Sequence, residues 1–286
     1  MSAGNGWKMG AAALAALLAL ATGLPGCGGG KTGVGGVAPG KEDTLAKIRR
    51  EGVLKWGADP SGGAPFVYFE KNNTEIVIGF EIDIMEKLAT HMGLKHKMVP
   101  AQWEFLTDAL LAKRSDLVMN GLEINEERKK KVTFSQPYFV YEQQLAVRAE
   151  DQDAYKSLDD LKGKVIGTLK DAEANNVLKR AGWTDNLLDQ LGDSQTPYEN
   201  LLLKRSEAVL QEDIITQYYV PLKPGLVIVP KTFSPGKYAV ACRKEDASLL
   251  AEIDRALSVM KEKGELAEIY KKWKIMSNLQ AEVGIK

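Results

Sequence analysis

Arg128 stands inside a run of charge, Glu126 to Lys131, and a guanidinium there has two possible uses. It can fork onto a carboxylate, whose geometry its planar donors match. It can also sit on a solvated face, the ordinary fate of a charge run. The candidate acids are scattered. Glu212 and Asp213 follow the apolar string Ala208-Val209-Leu210 and would suit a helix N-terminus, where negative charge is favoured. Asp59 precedes Pro60, a turn position. A buried carboxylic acid could protonate a leaving hydroxyl, but the sequence offers no nucleophile–base pair. Metal chemistry is poorly served too. The two histidines, His91 and His96, lie five apart across Gly93, a poor ligand spacing on one helix face, and there are only two cysteines. Cys242, in the alternating Tyr238-Ala239-Val240-Ala241-Cys242, reads as a buried, inert thiol. Neither a metal nor a cofactor is expected.

The chain that must position these groups is of ordinary globular make. Its 286 residues include 38 basic and 38 acidic side chains, a net charge of zero, with 44% hydrophobic and 27% charged residues. That length suits two lobes, each with material for a core. A nucleic-acid protein would carry a basic excess, which this balance and a pI of ≈ 6.8 do not supply. A mean hydropathy of -0.22 excludes a polytopic membrane protein.

From Thr44 onward strands and helices alternate. Residues 44–50 read as a short helix stopped at Gly52, and 53–58 as a buried strand. Residues 66–69 and 76–78 form a hairpin around Lys71-Asn72-Asn73. The helix expected over 80–91 carries Ile84, Leu88 and Met92 on one stripe, with Met85 and Ala89 beside them. A strand at 95–99, a helix at 105–113 and a strand at 116–119 continue a βαβ rhythm, which implies a mainly parallel sheet covered by helices. A second unit begins near Gln144. Its strands are expected at 145–147, 164–169, 208–210 and 226–229, its helices at 172–181, 197–204 and 214–219. Pro230 and Pro235 bracket a crossing segment. After it come a strand at 237–243 and two amphipathic helices, 247–263 and 265–274, whose Tyr270 and Trp273 read as packing residues.

The first segment reads as an address. Lys8 precedes an apolar run at 9–24, shorter than the roughly 20 residues a bilayer span needs. Small residues follow, which is the plan of an export signal. The run ends in Leu24-Pro25-Gly26-Cys27, similar to the lipobox of bacterial lipoproteins, where cleavage before the cysteine lets its thiol carry a diacylglycerol. A plain signal peptide with an incidental cysteine is the alternative. Residues 27–43 are Gly-rich and read as a flexible tether. With a signal at 1–26 and a lipid on Cys27, the body would be exported and held at a membrane surface without spanning it.

Several stretches, in order, resemble the family 3 extracellular solute-binding proteins, the amino-acid-binding components of bacterial ABC importers. Gly79-Phe80-Glu81-Ile82-Asp83-Ile84 is similar to that family's signature hexapeptide. The string Asp116-Leu117-Val118-Met119-Asn120-Gly121-Leu122-Glu123-Ile124-Asn125-Glu126-Glu127-Arg128 resembles its first ligand-binding strand and the turn to its arginine. Phe134-Ser135-Gln136-Pro137-Tyr138 and Lys271-Lys272-Trp273 resemble two further hallmarks. The resemblance covers Thr44 to about Met276. It implies an α/β, two-lobed periplasmic-binding-protein type II (Venus-flytrap) fold with two hinge strands. Lobe 1 would be 44–141 plus 237–286, and lobe 2 would be 142–236. The implied partners are a small-molecule amino acid, an ABC permease with its ATPase, and a membrane surface through the lipid anchor. The expected location is the periplasm or cell surface, and the expected state a monomer.

The ligand set that the resemblance implies is Asp59, Trp103, Asn120, Gly121, Glu123, Arg128, Leu169, Ala172, Glu173, Gln211 and Glu212. Arg128 would take the α-carboxylate, Glu212 the α-ammonium with Asp213 as the fallback, and Trp103 would cover the side chain unless it is simple core packing. Asp59 matches an acid at the side-chain end of the pocket in relatives for cationic amino acids. The departures are informative. Family members usually carry Ser or Thr where this chain has Glu123. In Gly167-Thr168-Leu169-Lys170-Asp171-Ala172-Glu173, Asp171, Ala172 and Glu173 replace a Gly-Ser/Thr-Thr turn. Hydroxyls and free N–H groups at a helix start bind a carboxylate, and acids repel it. Two accounts stay open. In one, Asp171 caps a helix and Glu123 pairs with Arg128 or a lysine. In the other, Asp59, Glu123, Glu212 and Glu173 form an acidic cleft for a cation such as arginine, lysine or a polyamine-like amine. Two rival functions are a cyclohexadienyl-dehydratase-like enzyme, since such enzymes share this fold, and a tethered ligand sensor.

Overall fold

The computed structural model describes residues 43–190 and 192–286. The expected signal segment, Cys27 and the tether up to residue 42 lie outside the described residues. Among the described residues no helix is long and apolar enough to cross a membrane.

The chain opens with α1 (Thr44–Glu51), capped by the Asp43 carboxylate, which accepts from the Ala46 N–H at 3.1 Å. It ends where Gly52 turns left-handed at φ 70°. Next come β1 (Val53–Ala58), the hairpin β2 (Tyr68–Glu70) and β3 (Asn73–Ile78), and α2 (Phe80–His91). The stripe predicted on α2 is buried: Ile84, Met85, Leu88, Ala89 and Met92 all face the core. There follow β4 (Lys95–Pro100), α3 (Leu106–Leu111), β5 (Leu117–Val118), α4 (Glu126–Lys131) and β6 (Thr133–Phe134). Beyond them lie β7 (Phe139–Arg148), β8 (Ile166–Leu169), α5 (Glu173–Arg180), β9 (Leu187–Gln190), α6 (Thr196–Leu202), β10 (Ala208–Glu212) and α7 (Asp213–Tyr219). The chain closes with β11 (Leu226–Tyr238), β12 (Ala241–Cys242), α8 (Ala247–Glu262) and α9 (Glu265–Lys272).

Two five-stranded sheets result, ordered β4-β1-β5-β12-β6 and β11-β7-β10-β8-β9. The βαβ rhythm implied mainly parallel sheets, and parallel pairing does hold along β4-β1-β5 and β10-β8-β9. The other half of each sheet is antiparallel, because β7, β11 and β12 belong to the chain's passage between the sheets and its return. The strand read at 226–229 runs on as β11 through Tyr238, taking in the first two residues of the strand expected at 237–243, which breaks at 239–240 and resumes as the two-residue β12. Pro230 and Pro235 fall in the two register shifts of β11, between Ile228 and Thr232 and between Phe233 and Gly236. A residue without an N–H is tolerated at such irregularities. At the crossing, Gly236 pairs with Tyr141 and Tyr238 with Phe139. The Tyr141 ring lies where a Gly236 side chain would be, and stacks on Tyr238 with centroids 4.5 Å apart.

The motifs seen in the sequence brace one another around the first sheet. Glu81 accepts from the Gly121 N–H at 2.7 Å and from the Tyr138 hydroxyl, so the hexapeptide on α2 holds both the turn after β5 and the Phe134–Tyr138 stretch. Asp83 accepts from Lys272 Nζ at 2.7 Å and Trp273 Nε1 at 2.6 Å, which pins α9 onto α2. Tyr270 is buried and Cys242 is fully buried, as packing residues. Burial pushes the Cys242 thiol well above its usual range. Along α8, Leu249, Ile253, Ala256, Leu257 and Met260 lie on one buried face. Burying each of the larger ones contributes about 1.5–3 kcal/mol.

Candidate functional site

A small cavity of ≈ 30 Å³, about the room of one water, lies where the two sheets face each other, so the walls are closed onto one another and must part to admit a solute. The first sheet contributes Asp59, at the end of β1, and Asn120, Gly121 and Glu123, after β5. Trp103 joins them from the turn after β4. The second sheet contributes Leu169 at the end of β8, Ala172 before α5, Ser194 before α6, and Glu212 and Ile215 around the start of α7. Gly62, Gly63, Phe66 and Tyr238 complete the wall.

The first-sheet side is held rigidly. Asn120 Oδ1 accepts from the Asp59 N–H, and the Asp59 carboxylate accepts from the N–H groups of Ser61 at 2.9 Å and Trp103 at 2.8 Å. Burial nevertheless outweighs these bonds and raises the Asp59 pKa. Gly121 has φ 59°, and a side chain there would come within 2.6 Å of the Phe66 ring.

Glu123 is the most tightly held of the acids. Its side chain is 2% exposed. One oxygen accepts from Arg128 Nη1, and the other accepts from the Glu173 N–H at 2.8 Å, across the gap between the sheets. Arg128 Nη1 also donates to the Glu123 carbonyl at 3.0 Å, and Nη2 to the Asp171 carbonyl at 3.1 Å, again across the gap. The guanidinium lies 5.1 Å from the centre of the Trp103 ring, a cation–π contact. Of the two accounts left open, the Glu123–Arg128 pair is therefore present. Asp171 is no cap: it adopts φ 62°, and the residue at the N-cap of α5 is Ala172, which has no side-chain oxygen to offer. Glu123 supplies the acceptor instead. Two more bonds close the gap, Ser194 N–H to the Gly62 carbonyl at 2.9 Å and Ala64 N–H to the Tyr219 hydroxyl at 3.0 Å.

Glu212 ends β10 and is almost wholly buried. Burial pushes its carboxyl well up, and Glu123, within hydrogen-bonding reach, pushes it further. Glu212 rather than Asp213 faces the cavity. Asp213 bonds to the N–H groups of Glu142 at 3.3 Å and Ile214 at 2.9 Å, and burial takes it up to about 6. Tyr238 adds a buried hydroxyl with no hydrogen-bond partner among the described residues.

Of the residues singled out in the sequence, Asp59, Trp103, Asn120, Gly121, Glu123, Leu169, Ala172 and Glu212 come together on this wall. Arg128, Glu173 and Gln211 do not line it. Arg128 borders a neighbouring open groove with Asp171 and Asn176. The Glu173 carboxylate is turned back to Arg180 at 2.6 Å and Asn176 at 3.2 Å, so it does not join the acidic group. Gln211 donates to the Ser194 carbonyl at 2.9 Å from behind the wall. Sequence reasoning missed Gly62, Gly63, Phe66, Ser194, Ile215 and Tyr238. The Gly-Gly pair after Asp59-Pro60 was a usable signal of close backbone approach. Ser194 and Tyr238 carried none, since only the fold brings them here. Among the described residues no group of three His, Cys, Asp or Glu side chains could hold a metal ion.

Known proteins fit this geometry. The profile of bacterial extracellular solute-binding proteins, family 3, matches residues 54–276. The L-cystine-binding protein TcyJ of Escherichia coli (strain K12) is 30% identical over 235 residues, covering 81% of this chain and 86% of that one. Among solved structures, the arginine-, lysine-, histidine-binding protein ArtJ from Geobacillus stearothermophilus superposes with a TM-score of 0.72 at 27% identity, covering 80% of this chain and 98% of that one. The ancestral amino acid-binding protein AncCDT-1, a precursor of cyclohexadienyl dehydratase, gives 0.73 at 29% identity over 81% and 99%. These relatives are named as binding proteins, not as enzymes.

Proposed function

Because this chain belongs to the family 3 bacterial extracellular solute-binding proteins, we propose that it is a receptor that captures a small, positively charged amino acid or amine between two lobes and delivers it to an ABC permease. The observation that carries this reading is the wall itself, with Asp59, Glu123 and Glu212 gathered around one small cavity. In this reading the lobes are 44–141 plus 237–286, and 142–236, and β7 and β11 are the hinge. A solute that touches Asp59 and Trp103 on one side and Glu212 on the other binds the closed arrangement better than the open one, so it shifts that equilibrium. The closed shape is what the permease then recognises. No bond is made or broken, so the energy of transport comes from a separate ATPase. The body acts as a monomer, exported by the segment at 1–26 and held at the membrane surface by lipid on Cys27 and the tether at 27–43.

A thermal-shift panel of the common amino acids and small amines tests the receptor. A solute at 100 times its Kd adds about 2.7 kcal/mol of stability, an easily read rise in Tm. The Glu212→Gln variant, which cannot become an anion, is expected to lose the response to that solute by a factor of about 100, the worth of a buried charge-assisted contact. A panel in which no compound raises Tm overturns the reading.

A further inference from the structure

Of the three acids of the wall, Glu123 is paired with Arg128, while Asp59 and Glu212 face no cation among the described residues. Among the described residues no Lys, Arg or His lines the cavity. Arg128, just outside the wall, turns three hydrogen bonds onto the protein itself: Nη1 to the Glu123 carboxylate and carbonyl, Nη2 to the Asp171 carbonyl, with its face against Trp103. The other group that could receive an anion is the start of α5. That eight-residue helix has no side-chain cap of its own, and its Glu173 N–H is taken by Glu123 at 2.8 Å. One seat for a carboxylate, a guanidinium from one sheet and a helix N–H from the other, is thus present and filled from within. The Glu123 carboxylate sits in it with both oxygens engaged.

We infer that Glu123 is an internal substitute for a ligand carboxylate, and that the solute is a small organic cation without one: an alkyl diamine or a guanidino-amine. This rests on the receptor reading above and narrows it. A zwitterion brought into the cavity would set its carboxylate beside Asp59, Glu123 and Glu212 with no free cation to meet it, which costs affinity through like-charge contact and an unpaired buried anion. A cation without a carboxylate meets only complementary groups. It would be held by Glu212 and Asp59, with the unpartnered Tyr238 hydroxyl as a further acceptor. Burial has left the Glu212 carboxyl pushed up, so an arriving cation gains an anion there as the proton leaves.

The test uses matched pairs that differ by one carboxylate, or by two for the last: agmatine and L-arginine, cadaverine and L-lysine, putrescine and L-ornithine, cystamine and L-cystine. Titration calorimetry on the full chain is expected to find at least one pair in which the amine binds ten or more times tighter than its parent amino acid. The Glu123→Ser variant, which empties the seat while Arg128 stays, should shift that ratio at least tenfold towards the amino acid. If an amino acid binds and no amine exceeds its parent, the inference fails while the receptor reading stands. If Glu123→Ser binds amines and amino acids in the wild-type ratio, Glu123 is not the device and the inference fails on that ground. If none of the eight compounds binds, the receptor reading fails and takes the inference with it.

Discussion

Arg128→Met isolates what the pair across the gap is worth. Methionine keeps the stem against Trp103 and removes the charge and its donors. Glu123, 2% exposed against 13% for Arg128, would keep the Glu173 N–H and the neighbouring Glu212 carboxyl. Deleting one partner of a buried pair costs about 3–5 kcal/mol, and the surviving contacts with the partial exposure of Arg128 point to the lower end, about 3 kcal/mol. In a body of this size 1 kcal/mol moves Tm by about 2–4 °C, so Arg128→Met should melt about 6–12 °C below wild type. Replacing both residues, Arg128→Met with Glu123→Met, removes the stranded carboxylate, and at least half of the loss should return. Scanning calorimetry without added solute reads both values. A single variant within about 2 °C of wild type, or a double variant that melts at the sum of two separate losses, would mean that no buried charge is stranded when Arg128 is removed.

Two more perturbations follow from buried or sequence-defined groups. Burial pushes Glu81 up from its ordinary 4.5 to about 7. An acid raised on folding binds its proton in the native state after the unfolded chain has lost it, so its share of stability falls as pH rises from 4.5 to about 7, by about 3 kcal/mol. Wild type should therefore lose Tm across that window faster than Glu81→Gln, and parallel profiles from calorimetry at several pH values would disprove it. If Cys27 carries the anchor, Cys27→Ser should abolish incorporation of radiolabelled palmitate in a producing bacterium and release the protein from membranes. Unchanged labelling would count against the lipobox.

The sequence made legible whatever repeats at a fixed period or sits beside a special residue. The α2 stripe, β1 and the α1 stop at Gly52 are of this kind, because one element's burial decides each of them. Less could be read where burial is not periodic. The string Glu126-Glu127-Arg128-Lys129-Lys130-Lys131 forms α4 with no apolar residue to announce it, held by the Asn125 cap and by Glu126–Lys129 and Glu127–Lys130 ion pairs. β11 was divided by Pro230 and Pro235, since no local rule says that both fall on register shifts. In the site, Asp59, Asn120, Glu123 and Glu212 were visible through motif order. Glu123 pairing with Arg128 could be named only as one option. That it also caps α5 was not visible at all, because its partner lies 50 residues away on the other sheet.

The seam at Gly236 and Tyr141 has a consequence for how this body can be cut. The chain leaves for the second sheet and comes back at positions that pair directly, so everything between them is a closed excursion with its ends side by side. An excursion of that shape can be exchanged for the matching stretch of a cousin at one joint. Grafting is therefore the natural way to vary one wall of the cavity while the opposite wall stays fixed.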